Sequence, residues 1–168
     1  MKYNKAFKYR IYPSDSQVVL IEKTFGCTRF IYNKMLNDKI EHYNKTKESL
    51  KITPASYKEA YPFLKEVDSL ALSNVQLQLD KAYKSFFNKQ NKFPKYKSKH
   101  NKKKSYTTNM VNGNIKVNFI DSTITLPKLG PIKVKYHRYI PEDYVVKSVT
   151  VSKSPTNKYY VSVLTEYE

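Results

Sequence analysis

One strand-like segment lies at the N-terminus, far along the chain from every other strand-like segment, and this most constrains the fold. Residues 2–11 (KYNKAFKYRI) alternate between apolar or aromatic and polar side chains, which is typical of a half-buried β-strand. The same two-residue period returns only after about residue 105, in short segments separated by turn residues. A strand needs hydrogen-bonding partners, so we expect the N-terminal strand to pair with the C-terminal ones. We therefore predict an α+β fold in which a small antiparallel β-barrel is interrupted by a helical-bundle insertion.

The segment between these strands has the period of an α-helix. Ser14 stands three residues before Gln17, which is the spacing of a capping box, and apolar residues then recur at helical intervals. A short helical piece begins at Pro54, and Asp68 or Ser69 caps a second long helix. The predicted domains are a β-barrel of residues 1–13 and 105–168, and a helical insertion of residues 14–104 that ends in a basic arm.

The stretch from Lys81 to Tyr106 carries ten lysines, six aromatic residues and no acidic residue, within a chain of formal net charge +17. Lysine binds phosphate as a point charge and aromatic rings stack on bases, so this composition predicts a nucleic-acid-binding surface. A solvated basic face without a ligand is the simpler alternative. The candidate contacts to an RNA or DNA backbone are Lys5, Lys8, Arg10, Arg29, Asn33, Lys84, Phe93, Lys95, Tyr96, Lys97, Lys102, Lys103, Lys104 and Tyr106.

The sequence does not favour catalysis or a metal site. Its three histidines are scattered, its acids are isolated from one another, and no glycine-rich phosphate loop is present. The single cysteine, Cys27, excludes an internal disulfide and a multi-cysteine zinc site, and its apolar neighbours indicate a small core residue. We predict no catalytic residue, no metal and no cofactor for this chain.

The sequence does not favour a membrane partner either. No apolar run approaches the roughly 20 residues that span a bilayer. The N-terminus turns polar at every second residue, unlike a signal peptide. We therefore expect a cytoplasmic protein.

Six segments, in this order, resemble one protein family: KAFKYRIYPSDSQ, FGCTRFIYN, LKEVDSLALSNVQLQLDKAYKSFF, FPKYK, LPKLG and KYYVSV. They are similar to the N-terminal half of TnpB (OrfB), the transposon-encoded RNA-guided DNA endonuclease related to type V CRISPR effectors. The resemblance covers essentially the whole chain. It implies an OB-like barrel, called the wedge domain, that is split by a helical recognition domain, in agreement with the interrupted barrel predicted above.

The same resemblance implies that a catalytic RuvC domain and a zinc ribbon follow this region. The chain stops at Glu168, just before the first catalytic strand would begin. We therefore expect the chain to lack the nuclease site of the Mg-dependent endonuclease and not to be an enzyme by itself. The implied partners are a guide RNA, target double-stranded DNA and a RuvC nuclease domain in cis or in trans, at the bacterial nucleoid.

Roles for individual residues also follow from the resemblance. The wedge and the FPKYK arm hold the guide RNA, while the helix after Asp68 and a later loop read the short motif beside the DNA target. Ser69 and Ser73 stand where the family has the longer Lys and Gln, and Val111 stands where it has a small hydroxyl residue. A short Ser reaches fewer base edges than Gln, so we expect a different motif or weak reading. The implied motif-reading residues are Ser69, Leu70, Ser73, Asn74 and Val111.

Two other functions remain open at this point. A stand-alone DNA-binding transcriptional regulator, derived from a transposase-associated protein, would use the helices as a helix-turn-helix and bind duplex DNA without RNA. One half of a split nuclease would need a second chain that supplies the carboxylates.

Overall fold

The computed structural model describes all residues, 1–168. The chain forms two compact units, which we call the sheet unit (residues 1–25 and 102–168) and the helical unit (residues 26–101). The α+β class predicted from the sequence is confirmed, while the predicted domain bounds stay a prediction. The helices and strands are β1 (Tyr3–Tyr12), α1 (Asp15–Thr46), α2 (Ser69–Phe87), β2 (Lys104–Asn109), β3 (Lys116–Asn118), β4 (Thr123–Leu126), β5 (Gly130–Lys135), β6 (Val145–Lys153) and β7 (Tyr159–Tyr167).

The N-terminal strand pairs with C-terminal strands on both sides, as predicted. The seven strands form one antiparallel sheet in the order β2-β6-β7-β1-β5-β4-β3. Strand β1 pairs with β7 from Tyr3↔Tyr167 to Ile11↔Tyr159, and with β5 from Arg10↔Lys135 onwards. A strand at one end of the sequence thus lies at the centre of the sheet.

The sheet is a curled antiparallel half-barrel, which agrees in part with the small antiparallel β-barrel that we predicted. Strands β2 and β3 each have a neighbour on one side only, so they form the two edges of the sheet. Strand β3 has only three residues and pairs only with β4. It therefore offers few backbone hydrogen bonds through which the sheet could close into a barrel. Strand β2 is not predicted from the sequence, because its first residue continues a run of lysines that resembles an arm.

One face of the sheet carries the core of the sheet unit. Phe7, Tyr9 and Ile11 alternate along β1 and are buried, as are Val161 and Val163 opposite them on β7. The start of α1 contributes to the same unit, since buried Ile21 and Phe25 belong to it. Phe25 packs edge-on against Tyr106 of β2, with ring centroids 5.8 Å apart.

Helix α1 begins with the predicted capping box. The Ser14 amide donates to Gln17 Oε1 (2.9 Å), and the Gln17 amide donates to Ser14 Oγ (3.4 Å). Gln17 Nε2 also donates to the carbonyl oxygens of Leu129 (3.1 Å) and Pro131 (2.7 Å). These bonds attach the first turn of α1 to Leu129, just before β5, and to Pro131 at the start of β5, within the sheet unit.

The helical unit has a core of its own, made by α1, α2 and the segment between them. Its buried residues include Cys27, as expected for a small core side chain, with Leu36, Leu72 and Leu79. The predicted short helix from Pro54 consists of two 3₁₀ turns, Pro54–Tyr57 and Pro62–Glu66. Asp68 is the predicted cap of α2: its side chain accepts a hydrogen bond from the Leu70 amide at 2.9 Å.

Candidate nucleic-acid interface

The second face of the sheet carries basic side chains from two neighbouring strands. In β1, Lys8 and Arg10 alternate with the buried core residues and so face the other way. The register places Lys135 directly opposite Arg10 and Lys133 opposite Tyr12. Directly opposed residues share a face, so these side chains form one surface. We call it the cationic sheet face, consisting of Lys8, Arg10, Tyr12, Lys133, Lys135 and Tyr160.

Aromatic rings hold the guanidinium of Arg10 in place on this face. Its Cζ lies 4.8 Å from the ring centroid of Tyr12 and 5.9 Å from that of Tyr160. Lys8 Nζ lies 4.8 Å from the same Tyr160 ring. Arg10 Nε is buried and has no hydrogen-bond partner. Contacts with the two tyrosine rings therefore orient the guanidinium of Arg10. Its terminal nitrogens make no ion pair with a carboxylate of the protein.

The positive charges of the cationic sheet face lie close together and repel one another. Arg10 and Lys135 are like charges at directly opposed positions, an arrangement that destabilises a sheet. The four cations of the face, Lys8, Arg10, Lys133 and Lys135, make none of the ion pairs with carboxylates in the chain. An anionic ligand would relieve this repulsion, and phosphate is an anion that arginine binds with two hydrogen bonds and lysine binds as a point charge.

In the helical unit, the segment after α2 is fastened to α1 as an extended arm. Asn33 of α1 accepts a hydrogen bond from the Lys97 amide at its Oδ1 (2.7 Å) and donates from its Nδ2 to the Lys97 carbonyl oxygen (2.9 Å). The Tyr96 hydroxyl donates to Asn37 Oδ1 (3.1 Å), and Pro94 is buried. The amide of Asn33 thus positions the arm on α1.

An open groove of about 540 Å³ lies between this arm and α1. We call it the arm groove. Four of its lining residues are basic, two are aromatic and two are asparagines. They are Arg29, Phe30, Asn33, Lys34, Asn37, Tyr96, Lys97 and Lys99.

The basic residues of the arm groove differ in their electrostatic surroundings. Lys34 is paired with Asp38 at 3.2 Å, and this hydrogen bond raises the pKa of the Lys34 ammonium. Asp38 also accepts a hydrogen bond from the Tyr57 hydroxyl at 2.7 Å. The Lys97 side chain has no carboxylate partner, and its ammonium lies 4.4 Å from the ring centroid of Tyr32. Partial desolvation there lowers the pKa of the Lys97 ammonium below its ordinary value of 10.5, although the residue as a whole is exposed.

The remaining backbone-contact candidates fall into exposed and covered groups. Lys84 is exposed near the end of α2, whereas Lys104 is half-buried at the start of β2. Tyr106 is only 3% exposed, and its ring packs against Phe25, so it lies in a core and not at the surface that we expected. The exposed candidates also include Lys5, whose ammonium lies 5.2 Å from the Phe7 ring centroid, and Phe93, Lys95, Tyr96, Lys102 and Lys103.

The motif-reading candidates lie in both units. The first turns of α2 hold four of them, and Val111 is exposed in a turn of the sheet unit. Ser73 donates its hydroxyl to the Ser69 carbonyl (3.1 Å), and Asn74 donates its amide to the Leu70 carbonyl (3.0 Å). Each of these two polar groups is therefore satisfied by the preceding helical turn.

Sequence reasoning missed four of the six residues of the cationic sheet face. Lys133, Lys135, Tyr12 and Tyr160 were not among the candidates, although the alternation of Lys133 and Lys135 with buried residues is visible in the sequence. The missing information was which strand neighbours β1, because residues about 120 positions apart become adjacent only through the sheet order.

The chain contains neither a cluster of metal ligands nor a helix that could cross a membrane. No group of three or more His, Cys, Asp or Glu residues is arranged to hold a metal ion. Neither helix has a stretch that is long and apolar enough to cross a bilayer.

Comparison with known proteins finds relatives across the whole chain. A family model for IS605 OrfB proteins, described as a helix-turn-helix domain, matches residues 1–48, which here hold β1 and the unbroken helix α1. A protein of Streptomyces pristinaespiralis described as an RNA-guided DNA endonuclease is 32% identical over 172 residues, which is 96% of this chain and 41% of that protein. InsQ of Escherichia coli K12, described in the same way, is 33% identical over 176 residues, which is 100% of this chain and 42% of InsQ.

The matched region is the N-terminal part of these two relatives, and the chain spans about two fifths of their length. A third relative is short. The virulence protein VsdF of Salmonella dublin is 33% identical over 114 residues, which is 58% of this chain and 96% of VsdF.

Proposed function

Because this chain belongs to the TnpB (OrfB) family and matches the N-terminal part of its RNA-guided DNA endonucleases, we propose that it is the nucleic-acid-binding part of an RNA-guided DNA-targeting protein. In this proposal the sheet unit is a wedge domain and the helical unit is a recognition domain. The ligands are a structured guide RNA and double-stranded DNA that carries a short motif beside the target. Cleavage then depends on a RuvC nuclease domain, acting in cis or in trans, as a further partner.

The cationic sheet face is the observation that carries this proposal. Four cations without carboxylate partners lie on neighbouring strands of one sheet, and two tyrosine rings orient the arginine among them. Such a surface suits a ribose-phosphate backbone, which presents anionic oxygens at regular intervals and is bound largely by shape. Each lysine or arginine that neutralises a phosphate releases counterions, and this makes the affinity depend steeply on salt.

The arm groove supplies a second contact of a different kind. Tyr96 is exposed beside the basic residues Arg29, Lys97 and Lys99, so an aromatic face and several positive charges border one groove. This combination binds unpaired nucleotides, because the ring stacks on a base while the cations hold its phosphates. We assign the guide RNA to this groove, with Lys97 among its phosphate contacts and exposed Lys95 on the same arm as a further one.

Reading of the DNA motif is assigned to the first turns of α2. Ser69 is exposed there, while the side chains of Ser73 and Asn74 are engaged by backbone carbonyls. A base edge must compete with these internal bonds, so motif discrimination by these residues is weak. Replacing Ser73 with Ala should therefore alter the preference for the DNA motif without changing the affinity for RNA.

The test is to purify the chain, sequence any RNA that copurifies, and measure binding over a salt series. Duplex DNA is titrated with and without that RNA, and heparin serves as the polyanion competitor. The proposal predicts one defined RNA and a logarithmic salt slope of roughly −0.7 to −0.9 per neutralised phosphate. It fails if heparin competes as well as the defined RNA and the motif-bearing duplex.

One observation favours a stand-alone DNA-binding regulator as a second candidate. VsdF is matched over 96% of its length, so a protein built almost wholly from this region exists. A regulator of this type would bind a specific duplex equally well when RNA has been removed by ribonuclease, whereas the leading proposal requires the RNA. The same titration therefore separates the two functions.

A further inference from the structure

The C-terminal end of α2 presents aromatic rings at the margin of the core of the helical unit. Tyr83 and Phe86 continue the buried stripe of α2 but are only half-buried, whereas Phe87 is 71% exposed. Phe93, which follows the helix, is 40% exposed. An exposed phenyl ring forgoes most of the free energy that its burial would yield, so this position calls for a role other than stability. We call these four residues the aromatic cluster.

The rings of the aromatic cluster pack against one another, and these contacts fix their orientations. Lys89 adopts a left-handed conformation (φ 60°) that turns the chain back after α2. Phe93 then packs edge-on against Tyr83 (5.5 Å, 88°) and Phe86 (5.2 Å, 87°). Phe87 lies nearly parallel to Tyr83, at 6.3 Å and 22°. The cluster is thus organised before any ligand arrives, which reduces the entropy lost on binding.

The charges around the aromatic cluster point to an anionic occupant. No acidic residue occurs between Asp80 and Asp121. Lysine is depleted at the centres of protein–protein interfaces, where its desolvation is costly, but is common where nucleic acid binds. Exposed lysines lie close to the rings in the sequence, on or next to α2; they are Lys81, Lys84, Lys89 and Lys92.

We propose that the aromatic cluster stacks on unpaired bases of the guide RNA, with Phe87 as the main stacking ring and the flanking lysines on the adjacent phosphates. A base inside a duplex has both faces covered by its neighbours, so a protein ring can stack only on an unpaired base. This inference rests on the proposed function, in which the RNA is the partner with unpaired bases and the target DNA is double-stranded. A phenyl ring can stack on any base, so this site would contribute to RNA affinity without contributing to sequence specificity.

The test uses the absence of tryptophan from the chain. The F87W variant of the full chain carries one fluorophore at the proposed site, and the exposed position accommodates the larger ring. The L77W variant is the matched control, because Leu77 is also exposed (64%) on α2 and is absent from the ring contacts. Each variant is titrated with oligo-adenylate RNA, with an RNA hairpin of the same phosphate count, and with oligo-deoxyadenylate.

We expect oligo-adenylate RNA to quench the fluorescence of F87W, and the hairpin stem to leave it nearly unchanged, while L77W responds to neither. We also expect the F87L variant, which keeps an apolar side chain, to bind oligo-adenylate about 5- to 150-fold more weakly than wild type. Equal quenching in L77W, or stronger binding of the hairpin or of the DNA strand by F87W, would overturn the inference.

The two proposals fail in different ways. Wild-type protein that binds the defined RNA with a steep salt slope, while F87W shows no quenching and F87L binds normally, overturns only the assignment of the aromatic cluster. If the wild-type protein binds the RNA no more tightly than it binds heparin, both the proposed function and the assignment of the aromatic cluster are overturned.

Discussion

The cationic sheet face and the arm groove have similar residue types but differ in how those residues are held. On the sheet, Arg10 and Lys135 are opposed by strand pairing, with backbone hydrogen bonds on both sides of β1. In the arm groove, the side chain of Asn33 makes two hydrogen bonds to Lys97, and Tyr96 adds one more to Asn37. Under the proposed function, we expect the sheet face to supply phosphate contacts in fixed positions and the arm to adjust to a bound RNA.

The largest expected effect comes from reversing charge on the sheet face. In the K133E/K135E variant, we expect the salt slope of RNA binding to fall by about 1.5 to 2 and the affinity to fall at least about 10-fold, because two phosphate contacts become repulsive. Stability should change in the opposite direction. Glu at position 135 would face Arg10, so the free energy of unfolding should rise by about 0.2–1 kcal/mol.

The control for this double variant is K51E/K65E, which changes the net charge equally at exposed positions outside both surfaces. RNA titration and urea unfolding are measured for both proteins. Equal losses of affinity in the two variants would mean that the sheet face acts only through the overall charge of the chain.

A smaller effect is expected from detaching the arm. The N33A variant removes both hydrogen bonds to Lys97, each of which contributes about 0.5–1.5 kcal/mol, so the free energy of unfolding should fall by about 1–3 kcal/mol. Hydrogen exchange at the Lys97 amide and trypsin cleavage after Lys95 should both accelerate. RNA affinity should fall less than in K133E/K135E.

The matched control for detachment is N37A, which loses only the bond from Tyr96. If N33A leaves amide exchange in the arm unchanged, the two surfaces are held equally firmly, and the contrast between them is wrong.

The smallest expected effect is on pH dependence at Lys97. Desolvation lowers the folded-state pKa of its ammonium below the ordinary 10.5, so the unfolded chain binds more protons between these two values. Below the folded-state pKa the Lys97 ammonium is charged, and its burial lowers the free energy of unfolding. This cost is lost as the pH rises towards 10.5. Relative to K97R, whose guanidinium stays charged, wild-type protein should become more stable but bind RNA less tightly as pH rises from 8 towards 10.

Paired RNA titrations and urea unfolding curves of wild type and K97R at three pH values would measure this difference. The cations of the sheet face serve as the internal reference, because they are identical in both proteins. Parallel pH profiles for the two proteins would show that burial does not lower the pKa of the Lys97 ammonium.

Local patterns allowed much of the fold to be predicted from the sequence. The Ser14–Gln17 capping box, the cap at Asp68 and the alternation in β1 are set by neighbours within a few residues, and each is confirmed. Strand β2 was missed because basic residues at its start are typical of an exposed arm. The burial of Tyr106 was missed for a related reason, since its position among lysines gives no sign of the ring of Phe25.

The candidate site was less predictable, because it depends on pairs that are distant in the chain. The sequence alone determined that the protein is α+β, strongly basic, and built with a terminal strand that must find partners after residue 105. Only the tertiary structure decided that Lys133 and Lys135 share a face with Arg10, that Asn33 holds the arm, and that Phe87 remains exposed. Periodicity records which side of its own element a residue occupies, whereas strand order and packing decide which other residues share that side.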